Sequence, residues 1–261
     1  MLQSPRRAAA EGQGKEEHVA DALTRDQIEQ FRQDGYLGPF ALCSPDEMAR
    51  IAAQLDSDLF ASEPPQHGLY QSRHLDSRQV YDLCAHPAII SRMASIYGPD
   101  LLLWRSHFFL KEQGAAEVPW HQDTNYWPLE PPLNISAWVA IDDATVENAC
   151  VHVIPGSHQT VVPHVRSPEG MLFPEMADME YVDTTTAVAM ELRAGEFFLF
   201  NERTVHQSAP NSSDRRRLGL AVRVTTPVVR VDHRRLFPGH KVVVVSGEDR
   251  LGFSDVADPP E

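Results

Sequence analysis

The stretch Asp100–Lys111, DLLLWRSHFFLK, decides the fold. Ahead of it, apolar residues recur at helical spacing. From it onward they come in short runs and alternations cut by Pro, Gly, Asn and Asp: LNISAWVAIDD (133–143), CVHVIPGSH (150–158), TTTAVAMELRAGEFFLFN (184–201) and RRRLGLAVRV (215–224). Short strands with such turn signals predict a β-sandwich or barrel. Side chains alternate along a strand, so Leu103, Arg105, His107 and Phe109 are expected on one face, with Leu102, Trp104, Phe108 and Leu110 on the other. An Arg and a His inside an apolar run line a polar cavity or face solvent from an edge strand.

The chain before Asp100 predicts helices. In LTRDQIEQFRQDGYL (23–37), Thr24 and Gln27 form a capping-box signature and Gly35 ends the helix. CSPDEMARIAAQLDSDLF (43–60) offers Ser44 as N-cap, Pro45 in the first turn and Glu47 to close a second box. SRQVYDLCAHPAIISRMASIYG (77–98) reads as a helical region broken near Pro87 and stopped by Gly98. The fold class is therefore α+β. Residues 23–261 are expected to form one domain after a disordered tail, 1–22. RSPEGMLFPEMADMEY (166–181) lacks periodicity and holds two prolines and a glycine, the pattern of a lid loop.

The net charge is −14, which argues against nucleic acid or an anionic membrane as partner; it slightly favours a neutral or cationic small molecule, with plain solubility the stronger reading. No apolar run approaches the ~20 residues of a membrane span. The first residues lack the apolar core of a secretory leader. Three cysteines without a C-x-x-C pair suggest neither a disulfide framework nor a zinc knuckle, so a cytoplasmic location is expected. Nothing in the sequence encodes an oligomeric state.

Chemistry is concentrated in WHQDTNYW, Trp120–Trp127. In a strand His121 and Asp123 would point to one side and could share an ion, with Gln122 facing away. An H-x-D pair alone is common without a metal. A third donor is expected at the end of another strand, and GEFFLFNERTVHQSAPN (195–211) supplies His206. Two histidines and one carboxylate leave three positions free on a six-coordinate ion, the facial triad of non-haem Fe(II) oxygenases. Zinc could use the same donors, but no H-E-x-x-H supplies a hydrolytic base. Beyond His206, Arg216, Leu218, Leu220, Val222 and Val224 form one strand face; Arg217, Gly219, Ala221 and Arg223 form the other. Small residues between guanidinium groups leave space for a carboxylate or phosphate. A solvated strand end is the competing reading, and it is the one expected of Arg215 and Arg216.

These segments, together with QIEQFRQDGYL (27–37) and AWVAIDDATVENACVHVIPGSH (137–158), resemble the phytanoyl-CoA dioxygenase-like Fe(II)/2-oxoglutarate oxygenases from about Leu23 to Val231. The resemblance implies a double-stranded β-helix, a cupin-like jelly roll with the N-terminal helices packed outside. It implies His121, Asp123 and His206 as iron ligands and O2 as co-reactant. Arg217 and Ser208 match the positions that hold the distal carboxylate of 2-oxoglutarate, and Trp138 and His107 match positions lining the cosubstrate. A histidine at 107, where relatives often carry Gln, departs from the pattern. So does Ala149, where Asn-Gly-Cys is usual. An aspartate at 123, where related halogenases carry a small residue, implies a hydroxylase releasing succinate and CO2, with no catalytic side chain beyond the metal centre. Tyr126, Trp127, Arg105, Arg223 and Phe173 are the candidate substrate contacts. Core packing is the alternative for Tyr126 and Trp127, as structure alone is for His158. A silent jelly-roll binding protein and a zinc-dependent hydrolase are the other functional classes.

Overall fold

The computed structural model describes residues 21–261, so the expected tail lies almost wholly outside the described residues. Helix α1 (Arg25–Asp34) starts at Thr24 with both hydrogen bonds of the capping box and ends at Gly35. Strand β1 (Tyr36–Ala41) leads to α2 (Pro45–Gln54), where Ser44 accepts from the Glu47 amide; no return bond from the Glu47 side chain closes a box. Then follow α3 (Arg78–Cys84) and α4 (Pro87–Tyr97), split at Pro87 as the sequence predicts.

The β region runs β2 (Leu101–Lys111), β3 (Val118–His121), β4 (Leu129–Glu130), β5 (Ile135–Ala140), β6 (Val151–Val153), β7 (His164–Arg166), β8 (Glu175–Ala177), β9 (Val188–Met190), β10 (Glu196–Asn201), β11 (His206–Ser208), β12 (Arg217–Thr225), β13 (Arg230–Val231), β14 (Val242–Ser246) and β15 (Val256–Ala257). Seven strands form the major sheet in the order β1-β10-β5-β12-β2-β14-β15; four form the minor sheet, β3-β11-β6-β9. The β4–β13 and β7–β8 pairs stand apart. This is the double-stranded β-helix, with the helices on the outer face of the major sheet.

Two layers of apolar side chains hold it. Phe197 and Leu199 of β10, with Leu218, Leu220 and Val222 of β12, face outward onto Met48, Val80, Ile89 and Met93 of the helices. Phe198, Phe200, Trp138 and Ala221 face inward against Val151, Val153 and Met190 of the minor sheet. Coverage on both faces is why these central strands read as nearly continuous apolar runs although they are antiparallel.

Strand β2 departs from simple alternation. Its pairing with β12 steps from Arg105↔Arg223 to Leu103↔Val224, leaving Trp104 as an extra residue. Such a bulge reverses the faces beyond it. Leu101 and Leu103 therefore join Phe108 in the helix-facing core, while Leu102 and Trp104 pack with Trp127 and Leu129. Leu103 and Phe109, expected on one face, lie on opposite faces. A one-residue insertion is invisible to a count of period two. Arg216 also differs from expectation: it bonds Asp142 and Asp56 rather than standing free in solvent.

The end of α1 braces the turn between β10 and β11. The Gly35 carbonyl accepts from the Asn201 amide at 2.8 Å and from Thr204 Oγ1 at 2.7 Å. His158 Nε2 donates to the Arg32 carbonyl at 3.0 Å, the structural role expected of it. Gly35 has φ 78°, and a Cβ there would stand 2.3 Å from His158 Nδ1 and 2.8 Å from Thr204 Oγ1. Gly156 has a similar φ of 75°, yet a Cβ there would come no nearer than 3.8 Å to another atom. Gly156→Ala should thus lose about 1–2 kcal/mol from the left-handed backbone alone, and Gly35→Ala should lose distinctly more. Urea denaturation of both variants checks this; equal losses would mean that the contact at Gly35 relaxes freely.

Candidate metal centre

His121 closes β3 and His206 opens β11, and the two are directly paired across the minor sheet. Asp123 is not in the strand. It opens a single 3-10 turn, Asp123–Asn125, which swings its carboxylate back toward both imidazoles. The three side chains are buried, and their donor atoms lie within 4.8 Å of one another. His121 Nε2 is 3.6 Å from one Asp123 oxygen and His206 Nε2 is 4.0 Å from the other.

The rings are oriented from behind. His121 Nδ1 bonds the Pro119 carbonyl at 2.8 Å and His206 Nδ1 bonds the Thr204 carbonyl at 2.9 Å. A carbonyl only accepts, so Nδ1 carries the proton in each ring and the Nε2 lone pairs face the centre. Gln122 faces away, as expected, but it is not idle. Its amide nitrogen donates to the Thr160 and Arg203 carbonyls and its oxygen accepts from the Val162 amide, which pins the 121–123 corner to two other loops.

The cleft over the triad is lined by Phe109, Trp138, Phe173, Ser208, Arg217 and Arg223, among others. Arg217 is buried, its guanidinium 5.2 Å from the Trp138 ring and bonded to the Ala149 carbonyl at 2.9 Å. Gly219 lets the tryptophan lie there: a Cβ would stand 2.1 Å from Trp138 Cζ2. Ala149 holds φ 69°, a left-handed backbone that costs about 1–2 kcal/mol outside glycine. The departure from Asn-Gly-Cys thus leaves the turn itself in place.

Phe173 reaches the site from the segment 166–181. Residues 167–174 are irregular, as expected, but the loop is framed by a short antiparallel pair: Arg166 ends β7 and Glu175–Ala177 form β8. Its three-residue strands are too short to register as periodicity. Phe173 sits near the hairpin tip, edge-on to the His121 ring at 4.8 Å. Tyr126 ties the hairpin down by donating to the Glu175 carbonyl at 2.7 Å, with its ring 5.4 Å from Phe173.

Four other expectations change. Trp127 does not line the cleft; it packs edge-on against Trp104 at 5.3 Å. Arg223 does line it, stacked 5.0 Å from Trp127, but the anion it faces is Asp123, at 3.9 Å. His107 lines a side cavity behind Arg217 with Lys111, and Arg105 lines a separate cavity further along β2. Lys111 escaped the sequence reading. Its ammonium is buried against the carbonyls of Ser208 and Ala209. The lysine at the end of an apolar strand was the available signal.

The donor set fits a divalent ion: two imidazoles, one carboxylate, and an Asp123 Oδ2 that is buried without a hydrogen-bond partner. Arg217 Nε is likewise buried and unpartnered, as a cradle for an anion would leave it.

Comparison with known proteins follows the same line. The family model described as phytanoyl-CoA dioxygenase matches residues 31–219. The dioxygenase lolE1 of Epichloe uncinata is 27% identical over 162 residues, 62% of this chain and 60% of that protein. A phytanoyl-CoA dioxygenase of Arabidopsis thaliana is 23% identical over 256 residues, 79% of this chain and 90% of that protein. The chain thus spans less than two thirds of lolE1 but most of the plant protein. Among solved structures, the non-haem monooxygenase ThoJ, in its apo form, superposes with TM-score 0.78 at 27% identity, covering 90% of this chain and 89% of that one. CytC3 with Fe(II) and alpha-ketoglutarate superposes with TM-score 0.70 at 26% identity, covering 91% and 94%.

Burial sets the protonation of the site. It would raise the Asp123 carboxyl, but the Arg223 guanidinium, first among the opposing groups, holds it down at about 2. Burial pushes His206 and His240 down to about 4 and His74 to about 3. It pushes Glu202 up to about 7. In the unfolded chain each histidine takes its proton near 6.5. Between that pH and the depressed value the unfolded state holds more protons, so stability falls as pH falls, by ~1.4 kcal/mol per pH unit per group. Glu202 works oppositely between about 4.5 and 7, because there the folded state holds the extra proton. Metal-free protein should therefore lose stability from pH 6.5 toward 4, as read from urea midpoints. Glu202→Gln should steepen that loss above pH 4.5; a flat profile would contradict neutral buried imidazoles.

Proposed function

The chain belongs to the phytanoyl-CoA dioxygenase family of Fe(II)/2-oxoglutarate-dependent oxygenases, and from that premise we propose that it hydroxylates an unactivated C–H bond of a small molecule. 2-Oxoglutarate is converted to succinate and CO2 in the process. The observation that carries the reading is the buried cluster of His121, Asp123 and His206, with one carboxylate oxygen left unpartnered. That arrangement is costly without an ion and complete with one.

In this reading His121 and His206 offer Nε2, and Asp123 offers its carboxylate, already ionised at neutral pH. Arg217 and Ser208, on one wall of the cleft, take the distal carboxylate of the cosubstrate, with Trp138 flanking it. Bound together, iron(II) and 2-oxoglutarate supply the activation of O2. The side chains supply position, charge and exclusion of water. No side-chain acid or base is needed: His206, at about 4, stays neutral through the working range. Asp123 fills the place that a halide would need, which favours hydroxylation over halogenation.

Phe173 and the hairpin serve as the lid. The cleft holds only about 40 Å³ with Phe173 against His121, so substrate entry has to move the tip aside. The chain's net charge of −14 gives little purchase for the phosphates of a CoA ester. A natural-product or amino-acid-type molecule fits better.

Anaerobic protein with Fe(II) and 2-oxoglutarate should show a weak visible charge-transfer band. His206→Ala should lose it, and a normal band in that variant would remove His206 from the ligand set. Arg217→Gln should keep iron but weaken 2-oxoglutarate at least about tenfold, since charge-assisted hydrogen bonds are worth ~1.5–3 kcal/mol each. Asp123→Ala should abolish hydroxylation in a succinate-release screen of small molecules.

The lid has its own readout. Phe173→Ala should leave the charge-transfer band unchanged while raising succinate formation in the absence of substrate, because O2 then reaches the centre with no substrate in place. Unchanged uncoupled turnover would count against a gating role.

A further inference from the structure

Further along β2 from Lys111 lies another cavity, of about 310 Å³, between the 66–72 segment and the 235–240 turn. Its charged lining is cationic or neutral: Arg105, Arg235, His67 and His240, with the amides of Gln66 and Gln71 and no carboxylate. This is an unusual wall for a chain of net charge −14.

Arg105 is its centre. It is partly buried, and among the described residues its one side-chain hydrogen bond runs from Nη2 to the neutral Gln71 Oε1 at 3.1 Å. Across the strand pair it stands directly opposite Arg223, and opposed residues on neighbouring strands have Cβ atoms about 5 Å apart. The cavity therefore adjoins the metal cleft, one residue pair away. The anion nearest by does not serve Arg105: Asp123 faces Arg223 and the two imidazoles. Asp76, 3.9 Å from His67, is bonded to Arg73 at 3.0 Å. A guanidinium withdrawn from water with a neutral partner is poorly compensated, and its planar fork suits a carboxylate or phosphate.

We propose that this cavity seats an anionic group of the substrate, a carboxylate or phosphate, on Arg105 with Arg235 at the mouth, so that the rest of the molecule extends past Arg223 to the metal centre. The proposal rests on the hydroxylase reading and narrows its substrate class to anionic small molecules. Arg105 is then a specificity residue, set apart from Arg217, which serves the cosubstrate.

The test uses protein carrying Zn(II) in place of iron and saturated with 2-oxoglutarate, observed by 15N NMR. Acetate and inorganic phosphate are titrated separately. The expected result is a saturable shift of Arg105 Nε–H and of the Gln71 amide, with half-saturation below about 10 mM for at least one anion. The tighter anion identifies the group. The Gln71 shift should vanish in Arg105→Gln and persist in Lys241→Gln, a surface control. A response that stays linear to about 100 mM for both anions, or a Gln71 shift that survives Arg105→Gln, overturns the proposal. The cosubstrate reading is scored independently, by the shift of Arg217 Nε–H when 2-oxoglutarate itself is added. Failure there with a saturable Arg105 response would fault the reading and not this site.

Discussion

The structure depends on one constraint: a carboxylate, Asp123, is held out of water at 4% exposure with one oxygen unpaired. A buried charge without compensation costs several kcal/mol. Compensation here comes from Arg223, while His121 and His206 turn their Nε2 lone pairs toward the ion that would complete it, and each must then be fixed in place. Arg223 is fixed by its ring neighbours, Trp127 at 5.0 Å and Phe109 at 5.9 Å. That explains why Trp127 is spent on packing instead of on the cleft wall. The aromatic residues around H-Q-D do not contradict its charges; they fill the space that makes those charges interact strongly.

Fixing the histidines extends the constraint outward. His206 is oriented by the Thr204 carbonyl, and Thr204 in turn bonds Gly35 at the end of α1. His121 and Asp123 turn on Gln122, whose amide bridges the 160–162 segment and the loop before His206. The helix outside the barrel and the loops at its mouth are thus parts of one hydrogen-bonded frame. Each link joins a side chain to a backbone carbonyl or amide, so the chain path fixes where those side chains must point.

Much of this was legible in the sequence, and the failures have physical causes. The capping box at Thr24, the split at Pro87 and the two faces of β12 follow from local rules, and all three stand. Small residues between Arg217 and Arg223 marked the cleft side of β12 because a cavity must be made by leaving side chains out. The Trp104 bulge was not legible, since it arises from pairing with β12 and not from β2 itself. Asp123 in a 3-10 turn was missed for a related reason: strand and turn can both bring residues i and i+2 to one ion. The hairpin at 164–177 was missed because its strands are too short to show a period. His107 lies off the cleft, although resemblance placed it at the cosubstrate; family position carries backbone location more faithfully than side-chain surroundings.

The charge distribution separates two jobs. At −14 the chain as a whole repels anions, yet Arg105, Lys111, Arg217 and Arg223 are gathered around the centre. At physiological salt the outer charge is screened within about 8 Å, so it influences encounter and solubility and little else. Inside, partial burial makes each guanidinium act strongly but only at contact. At the proposed site an anion is therefore neither drawn from afar nor held loosely at the surface. It is selected after entry, by fit to a guanidinium that has no carboxylate of its own among the described residues. Selection by contact is the more discriminating of the two, because a neutral analogue leaves that guanidinium unpaired.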